Sequence, residues 1–143
     1  MRRKILGSFL GVTLLVLACS KPIDIGGDCT NNAPRIGEQN NKTADEAVLK
    51  SLYDELIILS QSNNCAGDKT WRITPYGAKA CGGPIGFLPY RTDIDTTCFL
   101  QKVYHFTQQQ QRFNTRYGLA SDCSVPPSPK SVQCNNGKAE LVY

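Results

Sequence analysis

The sequence has one histidine, one tryptophan and one methionine in 143 residues. It contains no C-x-x-C pair, no G-x-S-x-G and no G-x-x-x-x-G-K-[ST] frame. Each shortage narrows the chemistry. A thiol or serine nucleophile needs a base beside it. His105 is the only imidazole, and on the helical spacing described below it stands about 200° from the apolar stripe, facing solvent. Long, irregular cysteine spacings and a single histidine do not suit a zinc site, so no metal and no cofactor is expected. "GAKACGGP" lacks the phosphate-loop frame and has no helix start behind it. The longest apolar run, Ile5 to Ala18, is 14 residues, against about 20 for a free transmembrane helix.

That apolar run follows Met1-Arg2-Arg3-Lys4, and together they fit a bacterial secretory signal peptide. The run ends "VLACS". This resembles the lipobox of bacterial lipoproteins, in which the cysteine is acylated and becomes the first residue after cleavage. Val16 and Ala18 match the pattern, while Leu17 stands where a smaller residue is usual. The resemblance implies residues 1–18 as a cleaved signal and Cys19 as the lipidated residue. The alternative is an ordinary signal peptide with an unmodified cysteine. Ser20 stands where an aspartate would resemble an inner-membrane retention signal, so the outer membrane is the expected location.

Charge points the same way. The chain has 16 basic and 12 acidic residues, a net of +4. Removing Arg2, Arg3 and Lys4 leaves 13 against 12, a net of +1 over the 125 residues from Cys19 to Tyr143. A chain so nearly neutral gives no reason to expect a nucleic-acid partner. Its length suits one domain with a modest core.

Seven cysteines is an odd number for an exported protein. Setting Cys19 aside for lipid leaves Cys29, Cys65, Cys81, Cys98, Cys123 and Cys134, an even set. Three disulfides are natural in an oxidising compartment, and fifteen pairings are open.

Residues 19–42 are rich in Gly, Asn, Asp and Pro and read as a lipid-anchored tether, with 43–143 as a single globular domain. If Cys29 is bridged to the domain, only about ten tether residues stay free. Thr43 and Glu46 fit a capping box. Val48, Leu52, Leu56 and Leu59, widened by Leu49 and Tyr53, predict a helix from about Ala44 to Gln61. Alternation about Trp71 and Ile73 predicts a strand over 70–74, interrupted by Pro75, with Trp71 as a core anchor. A second short strand is expected over 85–90, on an edge because of Pro89. Asp93 and Asp95 cap a second helix whose stripe is Phe99, Val103, Phe106, Phe113 and Tyr117, with Leu100 and Tyr104 beside it and Gly118 as its stop. Asn136-Gly137 sets a hairpin that pairs Cys134 with Ala139 and Val132 with Leu141, on one inward face. The expected fold is α+β: two amphipathic helices packed on a small antiparallel sheet, with a C-terminal β-hairpin and disulfide stabilisation.

Trp71, Gly77, Lys79, "CGGP" at Cys81 to Pro84, Tyr90, Asp95, Tyr117-Gly118, "SDC" at Ser121 to Cys123 and Cys134 form a spaced pattern. It resembles a group of small lipoproteins from Bacteroidota, over about residues 65–143, and it brings no activity with it. Against their commoner four-cysteine pattern, Cys29 and Cys98 are additions, and the resemblance implies that these two form an added bridge.

Two readings of "KACGGPIGFLPY" remain open. In one, Gly82 and Gly83 route the chain round a bridged Cys81. In the other, a rigid loop presents Lys79, Gly82, Gly83, Pro84, Phe87 and Tyr90 to a protein or glycan partner. The carboxylate pairs Asp45/Glu46, Asp54/Glu55 and Asp93/Asp95 are accounted for as helix starts or a solvated face, so no catalytic residues are assigned. The sequence therefore favours a non-enzymatic, lipid-anchored envelope protein, a binding module and in one version a hydrolase inhibitor. A structural or accessory envelope lipoprotein is the alternative, and a small exported hydrolase the next.

Overall fold

The computed structural model describes residues 29–61, 65 and 70–143. The signal segment, Cys19 and the first part of the expected tether lie outside these residues. The fold is α+β, as expected. Its elements are α1 (Lys42–Gln61), β1 (Trp71–Tyr76), β2 (Gly86–Arg91), α2 (Thr96–Arg116), β3 (Ser131–Asn135) and β4 (Lys138–Val142). The strands form two separate antiparallel pairs, β1–β2 and β3–β4, where one sheet was expected. Among the described residues, no helix is long and apolar enough to cross a membrane.

The helices follow the apolar period with their ends adjusted. The side chain of Asn41 accepts from Ala44 N at 2.8 Å, so the cap lies two residues before Thr43. The expected box does not form: Thr43 lies inside α1 and Glu46 pairs with Lys42 at 3.9 Å. Asparagine caps as well as threonine, and the earlier cap adds helical hydrogen bonds. Asp95 caps α2 by accepting from Cys98 N at 2.9 Å, and Gly118 follows its end. Asp93 instead pairs with Arg91.

The core joins Leu49, Leu52 and Leu56 of α1, Leu88 and Tyr90 of β2, and Phe99, Val103, Phe106 and Phe113 of α2. Tyr90 and Phe99 meet at 5.1 Å between ring centroids, and Tyr53, Tyr76 and Phe106 form a second aromatic group. Leu100 and Tyr104, expected beside the stripe, are exposed. Trp71 is half-buried at the start of β1 and is not a core anchor.

Both prolines sit inside strands, so Pro75 does not interrupt β1. Thr92 N donates to Thr70 O at 3.0 Å, which makes the even-numbered pairs the hydrogen-bonded ones along this ladder. Pro75 opposite Phe87 and Pro89 opposite Ile73 occupy the other class, where an N–H would point to a free edge. The C-terminal hairpin has the expected register, Val132 with Leu141 and Cys134 with Ala139, on a turn with Asn136 at φ 49° and Gly137 at φ 77°. Val132, Ala139 and Leu141 are half-buried, but Cys134 itself is exposed and only its partner Cys65 is buried.

Three disulfides tie these parts together: Cys29–Cys98, Cys65–Cys134 and Cys81–Cys123, with Cα separations of 5.5, 5.6 and 5.6 Å. The first is the added bridge that the lipoprotein resemblance implied. It changes the domain boundary. Residues 29–41 are part of the folded domain, not tether: Thr30 and Ile36 are buried, and Ile36 N donates to Gln109 Oε1 at 2.9 Å. This segment covers the side of α2 that was expected to face solvent. His105 is therefore 6% exposed, with Nε2 at 2.9 Å from Pro34 O.

Candidate functional site

The connection from β1 to β2 is a nine-residue loop, 77–85, and its shape follows from its glycines. Gly82 and Gly83 have φ of 95° and 78°, a region open to glycine at little cost. Lys79 N donates to Gly83 O at 2.9 Å and Gly82 N to Lys79 O at 3.0 Å, which closes the tip. At the base, Gly77 N donates to Thr107 Oγ1 at 3.0 Å, and Asn114 Nδ2 donates to Ala78 O at 2.7 Å. Helix α2 thus holds the loop from below.

The far side is held by a second clamp. Lys79 Nζ donates to Asp122 Oδ1 at 2.8 Å, to Ser124 O at 2.6 Å and to Ser124 Oγ at 2.9 Å. These bonds run beside Cys81–Cys123. Hydrogen bonds from Lys79 and then Ser124 hold the Asp122 carboxyl below its ordinary range. Lys79 is therefore a fastener of the 121–124 segment. Its ammonium is not presented freely to a ligand.

Between this loop and the C-terminal half of α2 lies an open cleft of about 620 Å³. Of the six residues expected to bind, Lys79, Gly82, Gly83 and Pro84 line it. Phe87 lies half-buried in β2 and is not part of its wall. Tyr90, 6% exposed, belongs to the core. Alternation along β2 sends Tyr90 inward with Leu88, which corrects the expectation that it faces a partner. The other wall comes from α2 and its end: Thr107, Gln111, Thr115 and Leu119. Spacing offered a signal for these residues, since they fall off the Phe99–Phe106–Phe113 stripe. What the sequence did not show is that the loop folds down against them.

The chemistry of the cleft is polar and nearly uncharged. Thr107 accepts from Gly77 N and donates to Val103 O at 2.9 Å, so its hydroxyl is engaged. Thr115 Oγ1 donates to Gln111 O at 3.0 Å, which leaves its oxygen available as an acceptor. Among the described residues, no imidazole or carboxylate lines the cleft. Among the described residues, no three His, Cys, Asp or Glu side chains are grouped to hold a metal ion.

A second polar cluster was missed. Asp45, read as a helix-start residue, has 0% exposure. Its carboxylate accepts from Asn40 Nδ2 at 2.9 Å and from Tyr117 OH at 2.8 Å, with Arg116 Nε at 3.7 Å. Arg116 also donates to the carbonyls of Gly37, Glu38 and Asn40. Burial alone would raise the Asp45 pKa. The bonds from Asn40, Tyr117 and the Gly37 backbone, with the Arg116 charge, outweigh it and hold the carboxyl below its ordinary 3.8. For Tyr117, burial and the bond to Asp45 push the phenol up. Every partner here is spent on joining both helix ends to residues 37–40, so the cluster is structural. Its signal was the 4-3-4 spacing Asp45, Leu49, Leu52, Leu56, which puts the aspartate on the buried stripe.

The chain matches no protein-family model, no curated protein and no solved structure.

Proposed function

We propose that this is a lipid-anchored protein of the bacterial cell envelope, acylated at Cys19 and facing a partner from the outer membrane, and that it works by binding. The charged start, the 14-residue apolar run and "VLACS" support the anchor. The observation that carries the binding reading is the fixed cleft between loop 77–85 and α2. Its walls are held by Cys81–Cys123, by Lys79 on Asp122 and Ser124, and by Asn114 on Ala78. A loop fastened at base and tip loses little freedom on binding, which favours affinity. Backbone, hydroxyl and amide groups beside Pro84 and Leu119 suit an extended segment of a protein or glycan partner. Inhibition of a hydrolase is one form this takes.

Leu119→Arg tests the cleft, because Leu119 is partly exposed and lines its wall. Gly83→Val is a poorer probe: with φ at 78° it strains the backbone whatever it does to binding. The expected result is a partner captured from envelope extract by the wild-type protein and lost with Leu119→Arg at an unchanged Tm. Equal capture by both proteins contradicts the cleft as the binding face. Turnover of a glycan or peptide by the purified protein contradicts the non-enzymatic reading.

A further inference from the structure

A second concavity lies on the opposite flank of α2, where residues 29–36 cross the helix. It has about 360 Å³, and Arg35, Gln101, Tyr104, Gln109 and Arg112 are among its lining residues. Among the described residues, the formal charges on its wall are of one sign. Gln101 Oε1 accepts from Cys29 N at 3.1 Å, and Gln109 Oε1 accepts from Ile36 N at 2.9 Å. Both amide oxygens are thus occupied by backbone N–H groups of the crossing segment. The two glutamines keep their NH₂ groups as donors. Gln109 is 2% exposed, yet its Nε2 has no hydrogen-bond partner among the described residues, and its side chain lines this pocket. Among the described residues no buried side-chain polar atom is left without a partner, so this donor is one that solvent in the pocket reaches and that an acceptor could take over.

The charges agree with the donors. Arg35 and Arg112 are both exposed, and neither has an ion pair or side-chain hydrogen bond among the described residues. Among the described residues no carboxylate lines the pocket, and α2 has no acidic residue along its 21 positions. His105 adds nothing negative, since its Nε2 faces the carbonyl of Pro34. From this geometry we infer that the pocket between residues 29–36 and α2 binds the oxyanion of an acidic saccharide, with Arg35, Arg112, Gln101 and Gln109 as its donors. Guanidinium groups match a carboxylate, sulfate or phosphate in planar, paired hydrogen bonds. Tyr104, 66% exposed, supplies a flat ring at the rim for the sugar body. A bilayer surface would call for a lysine-rich face with apolar side chains to insert. This site is concave and contains glutamines, and among the described residues no lysine lies on its wall.

The test is calorimetric titration of the disulfide-intact protein with trigalacturonate, maltotriose, inorganic phosphate and phosphatidylglycerol vesicles. Trigalacturonate should bind and weaken as salt is raised, and maltotriose should not bind. The double variant Arg35→Gln/Arg112→Gln should weaken trigalacturonate about tenfold or more at an unchanged Tm. Tyr104→Ala should weaken it too, while Leu119→Arg in the other cleft should not. No binding of trigalacturonate, or binding indifferent to the arginine pair, overturns the site. Equal binding of maltotriose overturns the role of charge, and equal binding of inorganic phosphate overturns the saccharide. Tighter, arginine-dependent binding of the vesicles makes the face a membrane contact instead.

Discussion

Asp45 is an ionised side chain shut away from water, and its partners make that tolerable. Its depressed pKa has a definite consequence for stability. A carboxyl held below its ordinary 3.8 in the folded state contributes stability above that pH. The contribution is lost as pH falls through the lower native value. Asp45→Asn should therefore lower Tm at pH 7 and flatten its fall as pH drops below 3.8. Thermal unfolding across that range checks this; parallel curves for wild type and variant would contradict it. Tyr90 makes the opposite point about reading a loop. Tyr90→Ala should destabilise by about 3–5 kcal/mol, as loss of a large buried aromatic does. Denaturant titration should show that cost, which a ligand-facing tyrosine would not produce. Asp45 could have been placed from its spacing on the α1 stripe. His105 could not, because its cover is an irregular segment with no periodic pattern to announce it.

The same contrast holds for elements. Both helices and the C-terminal hairpin were legible because their signals are local: an apolar period, a cap, an Asn-Gly turn. Residues 29–41 were not, since Gly, Asn and Pro in a short run look the same in a linker as in a pinned crossing segment. Only Cys29 hinted at the difference. Its bridge to Cys98 closes a span of 69 residues, and replacing both with serine should cost about 3–4 kcal/mol. The variant should also expose residues 29–41 to limited proteolysis. Retention of both stability and resistance would mean that the bridge is dispensable. At alkaline pH the aromatic group between β1 and the helices matters. Burial, then a hydrogen bond with Tyr53, pushes Tyr76 up to about 12. A raised phenol contributes stability that is complete below its ordinary 10.0 and is lost as pH rises towards 12. Tyr76→Phe should make the loss over that interval shallower. It should not remove it, because Tyr117 is shifted in the same direction.

At the scale of the whole molecule, the fold places two different faces on one helix. One flank of α2 meets loop 77–85 in the nearly uncharged cleft, and the other meets residues 29–36 in the donor-lined pocket. The loop of the first was legible as a candidate site but its α2 wall was not, and the second pocket was not legible at all, because each is completed where an irregular segment lies across the helix. In our account a lipid at Cys19 holds this disulfide-framed body at a membrane. That requires all six remaining cysteines to be bonded and the seventh to be acylated. The most direct test is the intact mass of the native protein extracted in detergent, alkylated with and without prior reduction. The account predicts an acylated Cys19, no label before reduction and label at six sites after it. A cysteine that reacts without reduction, or a chain that retains residues 1–18 and has no lipid, would contradict it.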